Sequence, residues 1–259
     1  MLTVDLERLG AGPGEQVLDA GCGQGRHSVA LRRLGCRVIG LDLNRADLKY
    51  ARYLLLHQDR EEMGKDPGAG ESTGGWLVLQ GNTECLPLAS GSVQRIICSE
   101  VLEHVPSPAA ALGELARILA PGGRMALSVP TPFSEVIYRL SSDEYFNSPG
   151  GHVRILSLGA IRKLLEGAGL ELTDLHFEHG FHTPYWWVRC VFGLHDEAHP
   201  LIRGFRKVLT HVLFSPGLTR LEGWFNWICP KSMVVYAQAR GGPPVPAQET
   251  DKPPPAQAG

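Results

Sequence analysis

One run near the N-terminus constrains the fold more than any other feature: Val17–Leu18–Asp19–Ala20–Gly21–Cys22–Gly23–Gln24–Gly25. It reads as a buried strand that turns through glycines into a helix. Glycine accepts the positive φ of a tight turn and lets a ligand approach main-chain N–H groups with no Cβ in the way. A strand that feeds directly into a helix is the first half of a βαβ unit, and such units build parallel sheets. The chain that follows agrees. β-rich runs at 16–20, 37–42, 76–80, 93–98 and 124–129 alternate with helical patterns at 26–34, 45–58 and 108–119. In the last of these, Ala110, Leu112, Leu115, Ala116 and Leu119 form one apolar face, and Pro121–Gly122–Gly123 ends it.

A helix at 157–168 and strands at 170–176 and 232–240 complete the pattern. The expected architecture is α/β: a Rossmann-like, doubly wound, mostly parallel seven-stranded sheet with a helical insertion before the last strand. Residues 1–240 form the domain, with 177–231 as an inserted substrate-side or lid region. A hairpin between the last two strands would need only a few residues, yet more than fifty lie there, with four of the five tryptophans. Met63 to Gly75, rich in glycine and polar residues, reads as a flexible loop. The proline-rich tail 241–259 reads as disordered.

The length of 259 residues suits one large domain, and 43% hydrophobic residues can fill its core. A formal charge of -2 offers nucleic acid no global attraction, so none is expected as a partner. Six cysteines without a CxxC pair, no secretory leader pattern and no bilayer-length apolar run make reduced thiols and a cytoplasmic setting the expectation.

The glycine spacing is G-x-G-x-G with an acid two residues ahead. A carboxylate there repels a dinucleotide's pyrophosphate and attracts the cationic aminopropyl end of S-adenosylmethionine (SAM). Asp42 ends the next strand, where a carboxylate can accept both hydroxyls of an adenosine ribose. With these residues in place the chain resembles the class I SAM-dependent methyltransferases, and within them the type-11 group that includes ubiquinone-biosynthesis O-methyltransferases. VLDAGCGQG at 17–25, GLDLN at 40–44, GNTECLPLASGSVQRIICSEVLEHV at 81–105 and LAPGGRMALSVP at 119–130 carry the resemblance.

The resemblance implies that Asp19, Gly21 and Gly23 hold the amino acid portion of SAM and Asp42 its ribose, with Leu43 beside it. It sets Asn82 and Thr83 against the adenine and Ser99 beneath the methionine end. Asn82 stands where the family usually has an aspartate. Many relatives carry one or two helices ahead of the glycine loop that close over SAM; only about fifteen residues precede the first strand here, so either something else covers the site or the natural protein is longer.

Ser99–Glu100–Val101–Leu102–Glu103–His104–Val105 follows the fourth strand. In a helix, Glu100, Glu103 and His104 would share a face. Three readings stand: local capping and packing, His104 as a general base toward an acceptor hydroxyl, or a divalent metal held by the acids and the imidazole. Tyr138, Tyr145, His152 and Arg154 are further substrate-side candidates. His176, His179 and His182 alternate faces in an extended chain, so no zinc site is expected there. His195 and His199 share a helical face without a zincin pattern.

Leu201 to Phe214 is amphipathic, with Arg203, Arg206 and Lys207 opposite the apolar face. It is either a helix packed on the domain or, with the nearby tryptophans, an interfacial element over 201–227 at a membrane surface. The function expected is methyl transfer from SAM to a small-molecule or lipid-like acceptor, releasing S-adenosylhomocysteine. A non-catalytic SAM-binding regulator and an NAD-dependent oxidoreductase are the alternatives.

Overall fold

The structure, a computed structural model, describes residues 2–65, 75–142, 145, 152–193, 196, 198–212 and 215–240. The elements run α1 (Leu6–Leu9), β1 (Gln16–Ala20), α2 (Arg26–Arg33), β2 (Arg37–Asp42), α3 (Arg45–Lys65), β3 (Trp76–Gln80), β4 (Val93–Ser99), α4 (Pro108–Ile118) and β5 (Leu119–Pro130). After these come α5 (Pro132–Ser141), α6 (Leu158–Gly167), β6 (Leu170–Glu178), α7 (His182–Phe192), α8 (Pro200–Val212), α9 (Pro216–Ile228) and β7 (Ser232–Ala239).

The seven strands form one sheet in the order β3-β2-β1-β4-β5-β7-β6. Strands β1 to β5 are parallel, and β7 runs antiparallel between β5 and β6. Central strands covered on both faces are apolar throughout rather than alternating: Ile96, Ile97 and Cys98 of β4 and Met125, Ala126 and Leu127 of β5 are all buried. One layer of the core joins Leu18, Ile96 and Leu127 to Leu112, Leu115 and Ile161. The opposite layer joins Val17, Val38, Ile97 and Tyr236 to Leu9 and Leu31.

Helix starts follow capping chemistry. Ser107, Thr131 and Ser157 each accept a backbone N–H from their own first turn. Strand order reverses between β1 and β4, where the connections diverge to opposite sides and leave a crevice beyond the carboxyl ends. The pairs Asp19↔Ile97 and Ala20↔Cys98 then set Gly21 and Glu100 at similar depth on its rim.

Three expectations change. Helix α3 runs on through Met63–Lys65, so the flexible loop does not begin at Met63; its residues 66–74, like the tail 241–259, lie outside the described residues. The turn after β4 is not helical, because Glu100 adopts φ 56 and ends any regular repeat before it starts. Glu100, Glu103 and His104 therefore do not share a helical face. The Leu201–Phe214 helix spans Pro200–Val212 and buries Ile202 and Val212, while Leu201 and Val208 of the expected apolar face are exposed.

Candidate cofactor and acceptor site

The glycine loop folds under two constraints. At Gly21, with φ +73, an added Cβ would stand 2.2 Å from a Val101 methyl carbon, so the turn after β4 closes tightly against the loop. At Gly23, with φ +50, nothing lies within 4 Å of the same position, leaving room on the ligand side. Gly25 adopts φ 84 and starts α2, bringing the helix N-terminus to the loop. The Gly21 and Cys22 N–H groups both donate to the Leu41 carbonyl, at 2.7 and 3.0 Å, which ties the loop to the end of β2.

Asp42 completes that tie. Its Oδ2 accepts the Gly23 N–H at 2.8 Å and its Oδ1 the Asn44 N–H at 2.8 Å. A carboxylate has about four lone-pair directions, so two backbone bonds leave capacity for two hydroxyl donors. Asp19 is 1% exposed, and its Oδ2 accepts the Ser28 hydroxyl at 2.6 Å. Its Oδ1 is buried without a hydrogen-bond partner. Burial pushes this carboxyl up to about 6, against the Ser28 bond and the Arg26 charge. An orphaned carboxylate oxygen in an electropositive loop fits a cationic ligand group and disfavours a pyrophosphate.

A cleft of about 370 Å³ opens over these elements, lined by Gly21, Asp42, Leu43, Asn82, Thr83 and His104 among others. Six of the nine sequence-derived site residues thus share one cavity wall. Asn82 turns inward on its own loop: its Oδ1 accepts the Glu84 N–H at 3.0 Å, so its amide orients a turn. Ser99 is absent from this lining and shares a 2.8 Å hydrogen bond with the Ser128 hydroxyl. Asp19 and Gly23 are also absent from the lining, although the Gly23 N–H is held by Asp42, which is part of it.

His104 also lines the cleft, its ring edge-on to His152 at 4.9 Å between centroids. Behind it lies a buried polar cluster that the sequence reading only half contained. Glu103 is 1% exposed, with neither carboxyl oxygen hydrogen-bonded and Oε1 3.9 Å from His104 Nε2. Burial, reinforced by Glu100, raises its pKa well above the carboxylate range. Glu100 goes the other way: although burial opposes its charge, the Lys231 ammonium at 2.9 Å holds it below that range. The His152 ring bonds Glu135 at 2.7 Å, and Tyr145 donates to the same buried carboxylate at 3.3 Å. Glu135, from α5, and Lys231, from the edge of β7, had no motif to announce them.

Arg154 is a structural brace. Its guanidinium donates to the carbonyls of Leu102, Val105 and Pro106, pinning the turn that carries His104. Tyr138 is fully buried with its hydroxyl on the Thr183 carbonyl, so it joins α5 to α7 and does not face the cleft.

A family model described as a methyltransferase domain matches residues 3–175, about two thirds of the chain. The chain belongs to the class I SAM-dependent methyltransferases. Among curated proteins, a Mycolicibacterium smegmatis protein named as a probable SAM-dependent methyltransferase is 30% identical over 161 residues, covering 62% of this chain and 54% of its own. A ubiquinone biosynthesis O-methyltransferase from Xanthomonas campestris is 36% identical over 116 residues, 45% of this chain and 43% of its own. The methyltransferase chain thus spans about half the length of the curated relatives it matches.

Solved structures agree on the fold. A SAM-dependent methyltransferase from Mesorhizobium loti aligns over 90% of this chain and 94% of its own, with a TM-score of 0.53 and 18% identity. A [4+2]-cyclase aligns over 90% and 77%, with a TM-score of 0.56 and 17% identity. At such identities the likeness concerns the fold alone. The cofactor of the family is SAM, and the residues present fit it: an orphaned acid below the loop, a second acid at the end of β2, and open space above Gly23. No helix among the described residues is long and apolar enough to cross a membrane.

Proposed function

We propose that this methyltransferase transfers the methyl group of SAM to a nucleophile on a small-molecule or lipid-like acceptor and releases S-adenosylhomocysteine. One observation carries the reading: His104 lines the same cleft as Gly21, Asp42 and Asn82. Bound SAM supplies an electrophilic methyl, and in-line placement of the nucleophile does most of the remaining work. His104 takes the acceptor's proton, with His152 and the buried Glu103 carboxyl packed beside it. Asp19, Gly21 and Gly23 hold the amino acid end of the cofactor, Asp42 and Leu43 the ribose side, Asn82 and Thr83 the adenine side, and Ser99 steadies the floor through Ser128.

Residues 177–231 form the acceptor-side cover. A lipid-like acceptor is supported by the solvent-facing side of α9, where Trp224 is 75% and Trp227 78% exposed beside exposed Leu221 and Ile228. Such a patch suits a membrane surface reached from the cytoplasm. The formal charge of -2 argues against a nucleic-acid acceptor.

A second reading has its own support: Glu103, His104 and His152 bring one donor atom each within 4.8 Å of one another. A divalent ion there would orient an acceptor with adjacent oxygens. The test is production of S-adenosylhomocysteine with phenol, catechol and polyprenyl-ring acceptors, with and without chelator. Turnover that survives chelation supports the imidazole base, and turnover lost to chelator and restored by Mg²⁺ supports the ion. No turnover with any acceptor, despite SAM binding, would favour a non-catalytic regulator.

A further inference from the structure

A second cavity, of about 310 Å³, lies between the start of α2 and the late helices, walled in part by Thr3, Arg26, His179, His182, Glu222 and Lys231. Methyl transfer assigns it no role. Two imidazoles and a carboxylate meet in it, each with a ligand-type atom within 4.8 Å of the others.

The convergence has a local cause. Strand β6 ends at Glu178, and His179 takes φ 65, a left-handed turn that histidine enters more readily than most residues. The His179 carbonyl accepts the His182 N–H at 2.9 Å, so the two rings face each other at 4.9 Å instead of alternating. This overturns the extended-chain expectation for these histidines; His176 does leave the group, stacking on Tyr236 at 5.6 Å. Gly180 then lets α9 pack flush, since a Cβ there would stand 2.5 Å from the Phe225 backbone. The Asn226 side chain accepts the Gly180 N–H at 2.7 Å, and Glu222, one turn earlier on α9, is delivered opposite the imidazoles.

Two of the three residues carry an unsatisfied donor atom. His182 Nδ1 and Glu222 Oε1 are both buried without a hydrogen-bond partner, and Glu222 is 3% exposed. They stand 3.9 Å apart, too far for a hydrogen bond. Tetrahedral zinc with bonds of about 2.0–2.1 Å sets neighbouring donors roughly 3.4 Å apart, so the His182–Glu222 pair closes by about 0.5 Å and the His179 donor draws in from within 4.8 Å. Thr3 Oγ1 lies 2.9 Å from His179 Nε2 and fixes that ring, as an outer partner does for a ligating histidine.

Burial holds both imidazoles below the ordinary histidine range, His182 down to about 4. Burial raises Glu222, which must release its proton to ligate. The neighbouring Lys231 and Arg26 charges oppose a cation; Lys231 is already paired with Glu100 at 2.9 Å, and Arg26 donates to the Thr3 hydroxyl at 2.6 Å. Two imidazoles with one carboxylate suit zinc and its neighbours better than Mg²⁺ or Ca²⁺.

We propose that His179, His182 and Glu222 form a zinc-type divalent metal site that clamps α9 to the β6–α7 turn and leaves one coordination position open to the cavity. It stands independently of the methyl-transfer reading.

The test uses the full chain, stripped with chelator and titrated with Zn²⁺ by calorimetry and with Co²⁺ by visible absorption. Expected is a saturable equivalent with a tetrahedral Co²⁺ spectrum and a raised Tm. His182→Ala and the isosteric Glu222→Gln should each weaken that equivalent at least 100-fold while SAM affinity, the check on folding, stays unchanged. Absence of a saturable equivalent in the wild-type chain would overturn the site. So would an equivalent that persists in both variants and vanishes in Glu103→Gln, which would put the ion on the other cluster.

Discussion

The two ends of the crevice are built by different means. At the cofactor end the backbone is the instrument: positive φ at Gly21, Gly23 and Gly25, and the N–H groups of Gly23 and Asn44 gathered on Asp42. At the His104 end the arrangement is reversed, with side chains from the turn after β4, from α5, from the residue before β7 and from the segment before α6 forming a buried polar cluster. A backbone site tolerates many outer residues but almost no change at its glycines. A side-chain cluster can be re-aimed residue by residue while the sheet stands.

The contrast can be broken most forcefully at His104. His104→Ala should lower turnover by roughly 10²–10⁴ with SAM affinity intact, measured as kcat against calorimetric Kd. A loss confined to SAM binding would move His104 into the cofactor end. Next comes Gly21→Ala. Its Cβ would meet Val101 at 2.2 Å, in a φ that alanine resists. Strain and overpacking together should cost about 2–4 kcal/mol in urea denaturation, and SAM binding should fall with stability. A neutral result would mean that the loop is not backbone-limited.

Asp42→Ala removes an acceptor of charge-assisted bonds and should weaken SAM by about 1–3 kcal/mol in calorimetry. Unchanged affinity would displace the ribose from β2. The pH dependence is gentler. Asp19 has its carboxyl raised to about 6 by burial, and a cationic ligand favours its ionised form. SAM affinity should therefore be level above pH 7 and fall as pH drops through 6, about tenfold per unit at most, with proton release on binding below 6. An affinity flat from pH 7 to pH 5 would detach Asp19 from the ammonium. The smallest effect concerns α9: Trp224→Ala with Trp227→Ala should weaken co-sedimentation with anionic vesicles about fivefold. No change would leave the exposed tryptophans without a membrane role.

How much was legible in the sequence follows the same divide. Val17 to Gly25 places strand, turn and helix within one short run, so its geometry is local and readable. The strand at 37–42 and the acid that ends it needed only one more step. The His104 end could not be read that way. Lys231 reaches Glu100 from just ahead of a strand that pairs beside β5, and Glu135 reaches His152 from α5, contacts that no short-range pattern encodes. The same limit explains the histidines. Their spacing predicted divergence in an extended chain, and the positive φ at His179, with Glu222 from a distant helix, reversed it. Even within the turn after β4, the helical expectation failed on a single residue, Glu100, whose φ of 56 is supported by its bonds to Lys231 and Ser128.

The central claim is that the loop and its two acids select SAM over a dinucleotide. Calorimetry of the full chain with SAM, S-adenosylhomocysteine and NAD tests it most directly. Saturable binding of the first two, none of NAD, and a weaker SAM isotherm for Asp42→Ala is the predicted result. Binding of NAD alone would contradict it.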